Sequence, residues 1–352
     1  MATMYAGPNN VYVPAFDTQA NLIVNYSRDP KKYLVNQIMT ITPVSKPIGK
    51  YLRIKPEAQG QLTNQWNVSR RWADGAPRPI QLEGGQKHEW LEFFTERYIE
   101  SFPIGYQTEQ NAIWDIVNTQ SKALANRMMT GIALEAYTEL RNASNYTNTA
   151  TATVAGGGAW SAATSTNRYI QNSLNYALEK IQQSTMNGVQ AEDLVLVLSP
   201  SVAKQIAASA EIADYMAGSP FSAPFVQGEA FTNQLGNYGM PPMLYGIKVI
   251  VDPLVRDNSA LGASTNYEFV ANAGVTTGSA YLIARQGALG SEAGGSNFSF
   301  LHCFKWTPEE FYTEVIDVPF DKRKVLSVVD NRQVKVVANE AAFLFTAVTP
   351  SL

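Results

Sequence analysis

Residues 108–141 hold no proline and a single glycine, Gly131, and their apolar residues Ile113, Val117, Leu124, Met128 and Ile132 fall on one helical stripe. Thr108 can cap the start, and Glu109 suits the positive end of the helix dipole. At 1.5 Å per residue such a helix would be roughly 50 Å long. A compact domain needs less, so this helix is expected to act as a spine along which other elements are laid.

The segment before the spine has two parts. Residues 1–45 are punctuated by Pro8, Pro14, Pro30 and Pro43 and cannot build a core of their own. Their apolar patches, such as Leu22-Ile23-Val24, favour an arm lying on something else over a disordered tail. Residues 48–104 alternate apolar and polar types, as in Tyr51-Leu52-Arg53-Ile54-Lys55, around a turn-rich centre, Trp72-Ala73-Asp74-Gly75-Ala76-Pro77. This pattern predicts a long hairpin. Arg70 and Arg71 near its tip are either solvated or in contact with a neighbouring subunit.

After the spine, residues 142–165 are rich in Asn, Thr, Ala and Gly and read as a flexible loop or hairpin tip. Gly156-Gly157-Gly158 is not followed by Gly-Lys-Ser/Thr, which argues against a phosphate-binding loop. A second amphipathic helix is expected over 166–184 and a short buried strand at Leu194–Leu198. Ser199-Pro200 then opens a helix ending at Gly218. Further strands are expected at Tyr245–Val251 and Tyr281–Ala284, giving an α/β unit between about residues 188 and 300. From Phe304 onward strands dominate, with a hairpin turn expected at Asp330-Asn331. The whole reads as an α+β chain.

Composition narrows the functional classes. The 352 residues carry a formal net charge of −3, so a grip on nucleic acid through neutralised phosphates is not expected. Charged residues are only 16% of the chain, which suits extensive protein contact. The single cysteine, Cys303, cannot form an intrachain disulfide, so an intracellular site of assembly is the default. The first basic residue is Arg28 and no apolar run approaches the length of a membrane span, so a soluble chain is expected.

Catalytic chemistry finds few candidates. His88-Glu89-Trp90-Leu91-Glu92 begins like a zinc-protease helix motif but has Glu92 where the second His should stand. His302 beside Cys303 invites a thiol nucleophile, yet neighbours in a strand point to opposite faces. Glu309-Glu310 follows Thr307-Pro308 as an ordinary capped turn would. Gly287, Gly290, Gly294 and Gly295 do not match the dinucleotide fingerprint. No catalytic, cofactor or metal site is expected. The basic run Lys322-Arg323-Lys324 is either a solvated turn or a contact with another subunit or DNA.

The order of arm, hairpin, spine, second helix, α/β unit and closing strands resembles the major capsid (coat) proteins of tailed bacteriophages, which share the Hong Kong 97-like fold. Four stretches carry the resemblance: Thr95–Gly105, Leu194–Ser201, Leu244–Val251, and Arg332–Val337 running into Ala341-Ala342-Phe343. The resemblance implies an N-terminal arm (1–47), an extended loop (48–104), a peripheral domain with the spine helix (105–187 and 304–352) and an axial domain (188–303). It further implies self-assembly into hexameric and pentameric capsomers of an icosahedral shell around double-stranded DNA, made in the host cytoplasm. Scaffolding, portal and decoration proteins would be partners, with only weak nonspecific contact to the packaged DNA and none to a membrane. No long helical segment precedes the arm, so either a separate scaffolding protein acts or a pro-segment is already gone. Some relatives crosslink through a loop lysine. The surroundings of Lys55 and Lys87 do not match, so that chemistry is not carried over. Arg70, Arg71, Lys322, Arg323 and Lys324 stand as candidate intersubunit contacts. An encapsulin-type nanocompartment shell protein is the alternative, and a cytosolic enzyme with a site in residues 188–300 the second.

Overall fold

A computed structural model describes residues 5–6, 12–13, 33–54, 74–75, 88–112, 114–217, 238–260, 263–272, 277–285 and 299–350. The hairpin tip with Arg70 and Arg71, most of the arm, and the glycines from Gly287 to Gly295 lie outside them. The chain runs through β1 (Thr40–Val44), β2 (Ile48–Ile54), β3 (His88–Phe94) and β4 (Glu96–Gly105) into helix α1 (Ile116–Arg141). Next come β5 (Asn148–Thr151), α2 (Tyr169–Ser184), β6 (Leu194–Leu198), α3 (Pro200–Ala207) and α4 (Ala210–Ala217). There follow β7 (Met243–Leu244), β8 (Ile247–Val251), β9 (Val255–Asp257), β10 (Tyr267–Phe269) and β11 (Ala280–Ala284). The chain closes through β12 (Leu301–Trp306), β13 (Tyr312–Val318), β14 (Arg323–Val336) and β15 (Ala342–Thr346).

Six strands form one mixed sheet in the order β5-β15-β11-β6-β8-β7, with β5–β15 and β6–β8 parallel. Both faces of its centre are covered, which is why these strands read as unbroken apolar runs. In β6, Leu194, Leu196 and Leu198 enter the core shared with α2 and α3, while Val195 and Val197 face the core shared with α1. The same alternation sends Phe343 and Phe345 of β15 one way and Ala342 and Leu344 the other. Strands β5 and β15, expected in the peripheral domain, are therefore hydrogen-bonded into the sheet that residues 194–284 build.

The second sheet centres on the fourteen residues of β14. Their first part pairs with β13 and, on the other side, with β4; their last part pairs with β12, which carries β1 parallel on its far side. The hairpin turn expected at Asp330-Asn331 is not formed. Both residues lie mid-strand, opposite Tyr98 and Arg97 of β4, because their side chains are taken up by a buried charge network.

Helix α1 ties the sheets together. Its first half lays Ile116, Leu124 and Met128 against Leu326 and Val328 of β14, and its second half lays Ile132, Ala136 and Leu140 under the six-stranded sheet. It holds 26 residues, about 39 Å, shorter than the sequence suggests. Residues 106–111 form a separate short helix, and the long one starts at Asp115, whose carboxylate accepts the Asn118 N–H at 3.0 Å. Asp115→Ala is expected to cost about 1 kcal/mol, read from urea denaturation of unassembled subunits.

Other departures have local causes. Residues 33–44 of the expected arm are ordered by apolar burial, with Tyr33, Val35, Ile38 and Met39 entering the α1 core. The expected loop 142–165 is fixed structure. Trp160 is buried, lies tilted against Phe345 with ring centroids 5.0 Å apart, and donates its indole N–H to Ser173 at 2.9 Å. A Cβ on Gly156 would run into Ser173 and the Tyr169 carbonyl, so the glycine serves close approach to α2. The helix expected from 200 to Gly218 breaks at Ala208-Ser209. The break seats the buried Glu211 at the N-terminus of α2, accepting from the Ile170 and Gln171 N–H groups (3.0 and 2.9 Å) and from Tyr245 (2.8 Å). Among the described residues no helix is long and apolar enough to cross a membrane.

Candidate assembly surfaces

Several of the reactive groups among the described residues are held in structural contacts. Cys303 is buried in β12, and burial pushes its thiol up to about 12, far from a reactive thiolate. Burial lowers His302 to about 4, leaving a neutral ring whose Nδ1 lies 2.9 Å from the Thr42 hydroxyl. Glu309 accepts from Asn331 at 3.1 Å and pairs with Arg97 at 3.4 Å. Among the described residues no group of three or more His, Cys, Asp or Glu could hold a metal ion.

The β2–β3 hairpin has two unlike faces. The inner face carries Tyr51 and Phe93, which stack on Phe304 of β12 at 5.6 and 4.7 Å. Lys335 donates to the Glu92 carbonyl at 2.6 Å, Gln333 accepts the Phe94 N–H at 2.9 Å, and Arg53 pairs with Glu340. The root of the hairpin is thus anchored on the second sheet. Side chains alternate across a strand, so the outer face shows three rows: Ile48 opposite Phe94, Lys50 opposite Glu92, and Leu52 opposite Trp90. The middle row is an ion pair at 2.9 Å, and the apolar rows stand in solvent, with Trp90 64% and Ile48 62% exposed. Alternation in the sequence announces a two-faced hairpin, but nothing local says that its apolar outer face lacks a cover within the chain.

The basic run Lys322-Arg323-Lys324 sits where β13 turns into β14, and its three charges have separate fates. Lys324 pairs with Glu109 at 2.7 Å and Arg323 with Asp321 at 2.7 Å. Lys322 takes the left-handed conformation (φ 49°) that closes the turn, its side chain exposed. The run is therefore no undivided basic patch. Sequence reading missed its neighbour Phe320, fully exposed at the apex; the one local hint is an apolar residue within the turn Pro319-Phe320-Asp321-Lys322.

A buried charge network holds the second sheet to α1. Arg332 donates to Glu135 of α1 at 2.7 and 3.1 Å and to Asp330 at 2.9 Å, and lies over the Tyr98 ring at 4.2 Å. Asp330, with no exposed side-chain surface, also meets Lys305 at 3.5 Å and accepts the Phe311 N–H at 3.3 Å.

This architecture, a spine helix crossing two sheets with a docked hairpin, is the Hong Kong 97-like fold. Solved structures share it at low sequence identity. A phage-related protein from Bordetella bronchiseptica RB50 matches with a TM-score of 0.58 at 12% identity, over 90% of this chain and 93% of that one. The capsid of cyanophage P-SCSP1u gives 0.56 at 12%, over 94% and 91%. The mature capsid of bacteriophage PhiM1 gives 0.52 at 11%, over 97% and 94%. No curated protein matches the sequence. A family model described as phage capsid protein matches residues 91–326, more than half of the chain. The chain belongs to that family and is a phage major capsid protein, a structural component of the virion shell.

Proposed function

We propose that the chain self-assembles into hexamers and pentamers that close an icosahedral shell around the double-stranded DNA of a phage, in the host cytoplasm. The carrying observation is the outer face of the β2–β3 hairpin, where Ile48, Leu52, Trp90 and Phe94 stand exposed in two cross-strand rows. Each is about half exposed, so burying the remainder against a neighbouring copy would be worth about 1 kcal/mol apiece, and a closed shell repeats the gain at every subunit. The mild net charge of −3 supports a container that leaves its DNA loosely held. The role is structural and not enzymatic, with a scaffolding protein, a portal and a decoration protein as partners. On this reading residues 1–47 form the arm, 48–104 the extended loop, 105–187 with 304–352 the peripheral domain, and 188–303 the axial domain. The last two share the six-stranded sheet.

The double variant Leu52→Glu with Trp90→Glu is expected to give subunits with unchanged circular dichroism and no shells by negative-stain microscopy; shells at parental yield would sink the hairpin's role. The cargo is tested on particles from phage-infected cells by nuclease protection. Protected double-stranded DNA supports the genome container, whereas particles filled with a host enzyme and free of DNA would replace it by the encapsulin reading.

A further inference from the structure

A cleft of about 250 Å3 opens between the start of α2, helix α4 and the β7–β8 turn. Tyr215 of α4 and Tyr245 of the turn form its aromatic wall, their rings tilted at 59° with centroids 4.9 Å apart. The wall is preorganised. The Tyr245 hydroxyl donates to Glu211 at 2.8 Å, and the Ile170 and Gln171 N–H groups fix that carboxylate in turn. Glu211 is thus answered within the chain, and the charges left to a ligand are Arg168 and Asp214, both exposed at the cleft. Arg168 is steadied by the Ser165 carbonyl at 3.3 Å and the Gln171 side chain at 3.4 Å. Neither Arg168 nor Asp214 forms an ion pair among the described residues.

These charges select the ligand. Arg168 repels a simple cation and Asp214 a simple anion, and a nucleic acid offers one sign only. The cleft suits a ligand with a planar group for the tyrosine wall and a charge of each sign beside it. A chain segment with a base, an aromatic residue and an acid within a few positions has that chemistry. The far end of the β2–β3 hairpin is such a segment, Arg70-Arg71-Trp72-Ala73-Asp74, leading into the turn at Asp74-Gly75. Both turn residues are exposed, and a Cβ on Gly75 would meet nothing within 4 Å. Gly75 lies thirteen positions before His88 of the outermost paired row, so the turn can stand up to about 45 Å from the anchored root.

We propose that the cleft between α2 and α4 receives the hairpin tip of a neighbouring copy, with Trp72 against Tyr215 and Tyr245, Arg71 at Asp214 and Asp74 at Arg168. This deepens the shell reading above and rests on it. Tip and cleft are different surfaces, so the contact is head-to-tail, and contacts of that kind close into rings.

The test uses a labelled peptide of residues 66–82 and unassembled full-length subunits carrying Trp72→Ala, whose own tip then does not compete. Saturable binding is expected by fluorescence anisotropy. Asp214→Arg in the subunit should weaken it about tenfold, and Arg71→Asp in the peptide should restore it. A tethered tip acts at an effective concentration of about 1 mM, so a peptide that does not saturate by then overturns the inference. So does an Asp214→Arg subunit of unchanged circular dichroism that binds as the parent does. Stronger binding by a peptide of residues 20–36, where Tyr26-Ser27-Arg28-Asp29 offers the same three groups, would overturn it in favour of that segment. Assembled shells give a second readout. Ser165→Cys lines the cleft, Ala73→Cys stands beside Trp72, and the one native cysteine, Cys303, is buried. With a short bis-maleimide, shells of the double variant are expected to give covalent oligomers beyond dimers on a denaturing gel, and shells of either single variant none; double-variant shells without them overturn the inference. A parent chain that forms no shell overturns the shell reading, whereas a parent that assembles beside subunits that do not bind the peptide overturns this inference alone.

Discussion

Replacing Asp330 by alanine is expected to destabilise the subunit by about 4 kcal/mol, measured by urea denaturation of unassembled protein. Asp330 is completely buried, and its two oxygens answer Arg332, Lys305 and the Phe311 N–H. Without it the buried ammonium of Lys305 loses its ion-pair partner, and the Arg332 guanidinium keeps Glu135 as its one carboxylate. The loss is large because charges already taken out of water lose their compensation, not because the pairs are strongly favourable in themselves. The triple variant Lys305→Met, Asp330→Leu, Arg332→Met removes all three buried charges while keeping volume, and is expected to recover most of the loss. If Asp330→Ala costs less than about 1 kcal/mol, the network does not hold α1 to the second sheet as argued.

The second large effect is a pH dependence at the seat of the hairpin. His302 lies on the sheet face that receives the hairpin, with Thr42 bound to its ring, Phe304 stacked 6.1 Å away, and Lys335 opposite it on β14. The charged groups on the hairpin face turned toward it are Arg53, which pairs with Glu340, and Glu89, which stands opposite Arg53; Lys50 and Glu92 pair with each other on the far face. Burial lowers His302 from 6.5 to about 4. The unfolded chain therefore takes up the proton first as pH falls. The stability from the neutral buried ring is fully present above about pH 6.5 and is lost progressively down to about pH 4, a total of about 3 kcal/mol. Carboxylates titrate in part of the same range, so the effect is read as a difference. Urea midpoints of the parent should fall between pH 7 and pH 4 more steeply than those of His302→Asn. Equal slopes would mean that His302 is hydrated or protonated in the folded protein.

The sequence discloses those elements whose causes are local. Leu194–Leu198 reads as a strand covered on both faces because all five residues are apolar, and Ser199-Pro200 reads as a helix start because cap and first-turn proline are adjacent. Where the cause is distant, local reading goes astray. Asp330-Asn331 has the chemistry of a turn, and the residues that hold it in a strand include Glu135, which Arg332 reaches from 197 positions away. Gly156 looks like loop glycine until Tyr169 and Ser173 pack against it. The start of the spine is misplaced at Thr108 because Asp115 is the stronger cap and Tyr106–Asn111 closes its own short helix. Of the candidate contacts, Arg70 and Arg71 lie outside the described residues, and Lys322-Arg323-Lys324 stand at a turn where two of the three charges are paired within the chain. Charge runs are visible in one dimension, but the exposure of Phe320 exists only once the turn is built.

Everything above turns on many copies of this chain forming one closed shell. Electron cryo-microscopy of the purified protein, expressed alone and then with its scaffolding partner, tests it most directly. Closed particles are expected, with rings of six and five subunits and the hairpins of each subunit lying against a neighbour. A monodisperse monomer under both conditions, or oligomers in which Ile48, Leu52, Trp90 and Phe94 remain in solvent, would contradict it.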